Sequence, residues 1–279
     1  MRTLLPLLLL LFILSSCSEY QKVLKNEDIK AKYDLAEKLY TQGDYKRSNR
    51  LFEQIAPQYI GKPQGERVTF FFADSYYKIG SYNLAGYQFE RFIKSYPKSD
   101  KIQDASFLGA KSYYMLSPRY SLDQTDTDKA LQKMQLFINM YPDSEFMTEA
   151  NRIAKELTQK KEKKAFEIAK QFNTLGEFDY SLLISAIAAL DNFISDFPGS
   201  IYREEALYYR FEAYARRGLN SFDNKKEERF IEARAAYSNL IKYFPETKFA
   251  KKSVNLLDRI EKESKLLSEA AKEANITLK

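Results

Sequence analysis

The chain has 279 residues, with 44 Lys and Arg against 38 Asp and Glu, a net charge of +6 spread along its length. A dispersed surplus of that size is not the clustered basic footprint of a nucleic-acid binder. With no His and a single Cys, intramolecular disulfides, His-based acid–base chemistry and zinc-thiolate sites are excluded as well.

The N-terminus reads first. Arg2 supplies a positive charge, Leu4 to Leu14 is an apolar run broken only by Pro6, and Leu14-Ser15-Ser16-Cys17 follows. A run of that length behind one charge predicts a signal peptide over residues 1–16, too short to persist as a membrane span. Its last four residues resemble the lipobox of bacterial lipoproteins. That resemblance implies a Cys17 carrying palmitate-type acyl chains as the first residue of the mature protein. One acyl chain binds a membrane only marginally, so several on one Cys would be needed to hold the chain durably. Ser18, where Asp would imply retention in the inner membrane, implies the outer membrane. Residues 17–28 then form a lipid-anchored tether.

From residue 29 onward the pattern is helical and repeats. Tyr40-Thr41-Gln42-Gly43-Asp44-Tyr45 and Tyr77-Lys78-Ile79-Gly80-Ser81-Tyr82 each place a Gly two residues before an aromatic. Such a Gly permits the left-handed conformation that ends one helix and starts an antiparallel one. Phe172 to Phe178 predicts a third such turn at Gly176. Pro57 predicts a kink or early end in the second helix of the first unit.

Four segments then close their units alike: Phe92 to Pro97, Phe137 to Pro142, Phe193 to Pro198 and Leu240 to Pro245. Each has a further apolar residue three positions earlier (Phe89, Met134, Leu190, Tyr237), which completes one helical face. The Pro stops the helix, because the residue before it is pushed out of the α region. Ser99, Ser144, Ser200 and Thr247, two residues past each Pro, are expected N-caps of the next helix. Six residues further on, Ala105, Ala150, Ala206 and Ser253 are small enough for close backbone approach.

The unit is helix, tight turn, helix, Pro stop, and it resembles the tetratricopeptide repeat. Residues 66–99 meet that pattern with Ala73, Tyr76, Gly80, Tyr82, Ala85, Phe89 and Pro97. Phe92 is large where the pattern is usually small. Residues 29–62 match with Ala36, Gly43, Tyr45, Ser48 and Phe52. Later units are longer, with insertions near Ser117 to Gln124, in a long helix from about Glu145 to Leu175, and near Leu219 to Lys225. The expected fold class is all-α: a right-handed α-solenoid of about five helix pairs with a C-terminal capping helix. Repeats 1–3 would occupy residues 29–143, repeats 4–5 with the long linking helix 144–247, and the capping helix and tail 248–279.

Chemistry is sparse. There is no phosphate-loop spacing, and carboxylate neighbours such as Glu204-Glu205 diverge on a helix. No enzyme activity and no cofactor are expected. The run Lys160-Lys161-Glu162-Lys163-Lys164 is either a solvated helix face or a contact to headgroups or an acidic partner. Aromatics are the larger signal, with 21 Tyr and 20 Phe. Laying the repeat over the first units puts Tyr33, Glu37, Tyr40, Phe70, Asp74, Tyr77 and Lys78, joined by Tyr113, on the expected concave face. They form either a peptide groove or packing against the next repeat.

A lipobox followed directly by about five such units also resembles the BamD-like lipoproteins of the machinery that inserts β-barrels into the bacterial outer membrane. The resemblance covers nearly the whole mature chain. It implies a periplasm-facing, lipid-anchored scaffold whose first repeats receive unfolded outer membrane proteins and whose last repeats dock on the large barrel-forming subunit. A different lipid-anchored scaffold, organising cell-envelope or peptidoglycan machinery, shares the same motifs.

Overall fold

The computed structural model describes residues 19–277, with side chains through residue 272. The signal peptide and Cys17 lie outside the described residues. Among the described residues there are helices and no strand, in keeping with the all-α expectation. The chain divides into two compact units, Met1–Leu157 and Thr158–Lys279. The division falls inside the long helix.

In the first unit a helical turn over residues 19–25 leads into α1 (Ile29–Thr41) and α2 (Tyr45–Ile55). Then follow α3 (Gly65–Lys78), α4 (Tyr82–Ser95), α5 (Ile102–Leu116), α6 (Thr125–Met140) and the start of α7 (Met147–Leu175). Asp28 and Asp44 cap the first two helices, accepting from the backbone N–H of Ala31 and Arg47. α2 ends early, as Pro57 requires, in a 3-10 turn over Ala56–Tyr59. The turns after α1 and α3 use glycine in the expected way: Gly43 and Gly80 sit at φ +82° and +81°.

The second unit holds the rest of α7, then α8 (Leu182–Asp196), α9 (Arg203–Leu219), α10 (Asp223–Tyr243) and α11 (Ala250–Thr277). Here the third glycine turn departs from expectation. Gly176 does not adopt a positive φ; it is small because Leu183 presses on it, and a Cβ there would lie 2.4 Å from Leu183 Cδ2. The insertion near Leu219 is also shorter than the sequence suggests. Only residues 220–222 are loop, and the extra residues extend α10.

The repeated helix ends share one geometry. Tyr96, Tyr141, Phe197 and Phe244 leave the helix at φ between −126° and −136° and ψ between 59° and 75°. The first three fold back on the helix, with ring centroids 5.4 Å from Phe92, Phe137 and Phe193. The hydroxyls beyond each Pro act differently from the N-caps expected. Ser99, Ser144, Ser200 and Thr247 accept from the N–H two residues on, in the turn before the helix. Ser99 and Thr247 also donate to Glu66 and Glu204, in the first turns of α3 and α9. These hydroxyls tie a turn to the preceding pair, so they are buried. The small residues behave as expected: Ala105, Ala150, Ala206 and Ser253 are all buried.

Candidate functional site

In the first unit α1, α3, α5 and α7 are the leading helices of successive pairs, and polar contacts join each to the next. Glu37 pairs with Arg67, and the Tyr40 hydroxyl donates to Asp74, both across α1 and α3. Tyr77 lies near enough to Lys111 of α5 to feel its charge, and the Lys111 ammonium lies 2.9 Å from Glu149 of α7. Tyr114 of α5 donates to Glu156 of α7 at 3.0 Å, and Arg152 pairs with the same carboxylate at 3.2 Å. Aromatic rings fill the gaps. Phe71 stacks on Tyr40 at 4.3 Å, with the Arg67 guanidinium over the Phe71 ring 5.2 Å from its centroid, and Tyr33 lies 5.5 Å from Tyr59.

The electrostatics follow from burial. Asp74 is only 4 % exposed, and a buried carboxylate needs a donor. Tyr40 supplies it, and burial followed by that hydrogen bond pushes the Tyr40 phenol well above its ordinary range. Burial likewise raises Tyr77, against the lowering influence of Lys111. Lys78, one residue on, is exposed.

Seven of the eight sequence-derived side chains, all but Tyr113, belong to α1 and α3, and four of them, Glu37, Tyr40, Asp74 and Tyr77, take part in the contacts between leading helices. Phe70 and Tyr113 are turned elsewhere. Phe70 packs edge-on against Phe89 and Phe92 of α4, at 6.0 and 5.5 Å. The Tyr113 ring covers Gly86, where a Cβ would come within 2.9 Å of it, and its hydroxyl donates to Glu90 at 3.0 Å. Tyr113 also lines a cavity of about 310 Å³ between α4, α5 and α6, with Leu136 and Met140 at its rim. Phe71 and Tyr114, their neighbours in sequence, occupy the shared face instead. Sequence reasoning missed these two, and Arg67 and Lys111 with them. The heptad step from Arg67 to Asp74 was the available signal, since it puts Phe71 on the same side.

The second unit has its own version of these contacts. Asn173 of α7 donates to Glu212 of α9 at 2.7 Å, and Tyr208 donates to the other oxygen of that carboxylate at 2.9 Å. Arg216 donates to the Asn173 carbonyl at 3.0 Å. Side chains of the Lys160 to Lys164 run are part-buried along α7. Among the described residues no cluster of three or more Asp, Glu, His or Cys is arranged to hold a metal ion. None of the described helices is long and apolar enough to cross a membrane.

Comparison with known proteins gives one decisive result. A crystal structure of a kinesin light chain from Podosopora anserina with nearly identical TPR-like repeats is 12% identical. It aligns over 77% of this chain and 96% of its own, at a TM-score of 0.33. A computationally designed, self-assembling cyclic homo-oligomer is 15% identical over 98% of this chain and 99% of its own, at a TM-score of 0.23. No curated protein matches the chain by sequence. The family YfiO, described as an outer membrane lipoprotein, matches over residues 25–230 and 177–277. Those matches run through nearly all the helices, and the chain therefore belongs to the YfiO family of outer membrane lipoproteins.

Proposed function

We propose that this lipoprotein is a periplasm-facing scaffold of the outer membrane β-barrel assembly machinery, holding unfolded outer membrane proteins and the large barrel-forming subunit. The observation that carries the reading is membership of the outer membrane lipoprotein family along the length of a helical repeat. The anchor is a lipid on Cys17, which accounts for the only Cys in the chain. The client-binding surface is the face shared by α1, α3 and α5, where Tyr33, Tyr40, Phe71, Tyr77 and Tyr114 offer rigid aromatic area. Glu37, Asp74 and Lys78 are its polar groups. Rigid rings supply contact area at small entropic cost, while an unfolded client gives up conformational freedom on docking, so affinity is modest. The protein acts by holding partners rather than by chemistry.

The test is purification of the lipidated protein from detergent-solubilised membranes. Co-purification of the large barrel-forming subunit is the expected result, and its absence under conditions that preserve the other envelope complexes overturns the reading. A second arm titrates a C-terminal peptide of a barrel protein, with and without its final aromatic residue, into wild type and into Tyr33→Ala plus Tyr77→Ala. Equal binding in all four combinations would assign these rings to packing alone.

A further inference from the structure

Two neighbouring helix pairs of the first unit repeat one contact and differ in what surrounds it. The Tyr76 hydroxyl donates to Glu53 at 3.4 Å, and one pair further on the Tyr113 hydroxyl donates to Glu90 at 3.0 Å. Aligned on that contact, Phe72 is matched by Gly109. Phe72 is 6 % exposed, with its ring 4.9 Å from Tyr76, and so fills the space beside its tyrosine. Gly109 puts nothing there, and a Cβ would already lie 3.2 Å from Phe89 Cβ. The rim changes as well. Counted from Phe92 and Phe137, the positions of Arg91 and Ser95 on α4 are taken by Leu136 and Met140 on α6. These two apolar side chains are 53 % and 56 % exposed.

The space so emptied is the cavity of about 310 Å³ between α4, α5 and α6. α5 runs antiparallel to both neighbours. Gly109 faces Phe89 and Tyr113 faces Gly86, while Phe107 lies 5.4 Å from Phe137 and Lys129 stands over the Tyr113 ring. The lining side chains therefore sort into two ends. Glu90, Tyr113 and Lys133 close one, where Glu90 matches the Lys133 ammonium at 2.8 Å. Lys94, Ser106 and Tyr141 stand at the other. From Tyr113 to Ser106 the slot runs about 10 Å at helical rise.

Size and charge together name an occupant. An apolar cavity of about 150 Å³ takes one benzene ring. This slot is about twice as large and drawn out along the helices, which suits an extended chain better than a single ring. At its Lys94 end no lining acid answers the ammonium, and among the described residues the Ser106 and Tyr141 hydroxyls have no hydrogen-bond partner. The acids nearby in sequence do not cancel that charge. Asp104 pairs with Lys101 at 2.7 Å, and Glu145 and Asp100 act on the same lysine. Lys98 and Asp143 follow the two prolines with opposite signs. One cation and two hydroxyls at the end of an apolar slot match an anionic oxygen head.

We propose that this slot binds a single acyl chain with an anionic head, either a fatty-acid carboxylate or the phosphate of a one-chain phospholipid. Lys94, Ser106 and Tyr141 hold the head, and the chain lies over Gly109 towards Tyr113. Met140 at the rim adapts to a flexible chain, as methionine does at other apolar sites. The site is separate from the client-binding face and does not rest on the barrel-assembly reading.

The test adds dodecanoate carrying a diazirine at its methyl end to isolated membranes holding the full chain, followed by irradiation and peptide mapping. The expected adduct falls on residues 109–113 or 133–137, at the end of the slot away from Lys94. Excess dodecanoate or lysophosphatidylglycerol displaces the probe, and the one acting at lower concentration names the source of the head. Dodecanol, the same chain without the charge, does not displace it. Lys94→Gln should raise the displacing concentration roughly tenfold, the loss expected for a hydrogen bond to a charged group. Gly109→Phe restores the ring of the preceding pair and should abolish labelling. Because its Cβ is tight against Phe89, Leu136→Arg with Met140→Ser is the second variant. It changes only exposed positions and should lower labelling roughly tenfold with an unchanged helical circular dichroism signal. No adduct, adducts scattered along the chain, displacement by dodecanol as readily as by dodecanoate, or labelling indifferent to Lys94→Gln and to the rim variant would each overturn the proposal.

Discussion

Phe92→Ala tests whether the two helices of a pair, α3 and α4, share one core in the first unit. Phe92 is fully buried in α4, with the Phe70 ring of α3 5.5 Å away edge-on and Tyr96 at 5.4 Å. Removing the ring forfeits about 2–3 kcal/mol of transfer free energy. The residual cavity adds about 1–2 kcal/mol, because Phe70 and Tyr96 can collapse into it only in part. The expected loss is about 4 kcal/mol, and it should be seen in α3 and α4 together. Hydrogen exchange read peptide by peptide checks both points, and is preferable to one global transition because repeat arrays need not unfold in a single step. Tyr87→Ala, on the exposed side of the same helix, is the control and should stay within about 0.5 kcal/mol of wild type. A loss below about 1 kcal/mol at Phe92, or one confined to α4, would refute the shared core.

Gly80→Ala should cost about 1–2 kcal/mol through its positive φ alone, since an added Cβ meets nothing within 4 Å; a urea midpoint equal to wild type would remove that reasoning. Tyr40→Phe should cost about 1–3 kcal/mol, because it withdraws a hydroxyl donor from the buried Asp74, measured by the same unfolding curve. Burial and then neighbouring carboxylates raise the phenols of Tyr40, Tyr113 and Tyr208 above the ordinary 10.0. Unfolded, these groups ionise near pH 10 while the folded chain keeps them protonated. Their stabilisation is therefore complete below about pH 10 and is lost as pH rises from there through the folded-state values; an ultraviolet phenolate titration in which every tyrosine ionises together near 10 would contradict this. Cys17→Ser should release the protein from the membrane fraction, and failure of a labelled fatty acid to mark wild type would end the lipid anchor.

Sequence periodicity determined the helices, their pairing and their ends. A helix's apolar stripe, a Gly at φ > 0 and a Pro after an aromatic are local constraints, and each is legible from a few neighbouring residues. Side-chain direction was not local. Phe70 and Phe71, like Tyr113 and Tyr114, are adjacent aromatics about 100° apart on a helix. Either of each pair suits either face by composition, and the neighbouring helix settled it: Tyr40 took Phe71, Glu156 took Tyr114, and Gly86 left space for Tyr113. The exposure of Phe178 was decided in the same way. Nothing in Gly176-Glu177-Phe178 distinguishes it from Gly43-Asp44-Tyr45, but Asn173 turns inward to a carboxylate 39 residues further along the chain. Burial of an aromatic depends on a partner ring that only packing between helices can supply, and there it supplies none.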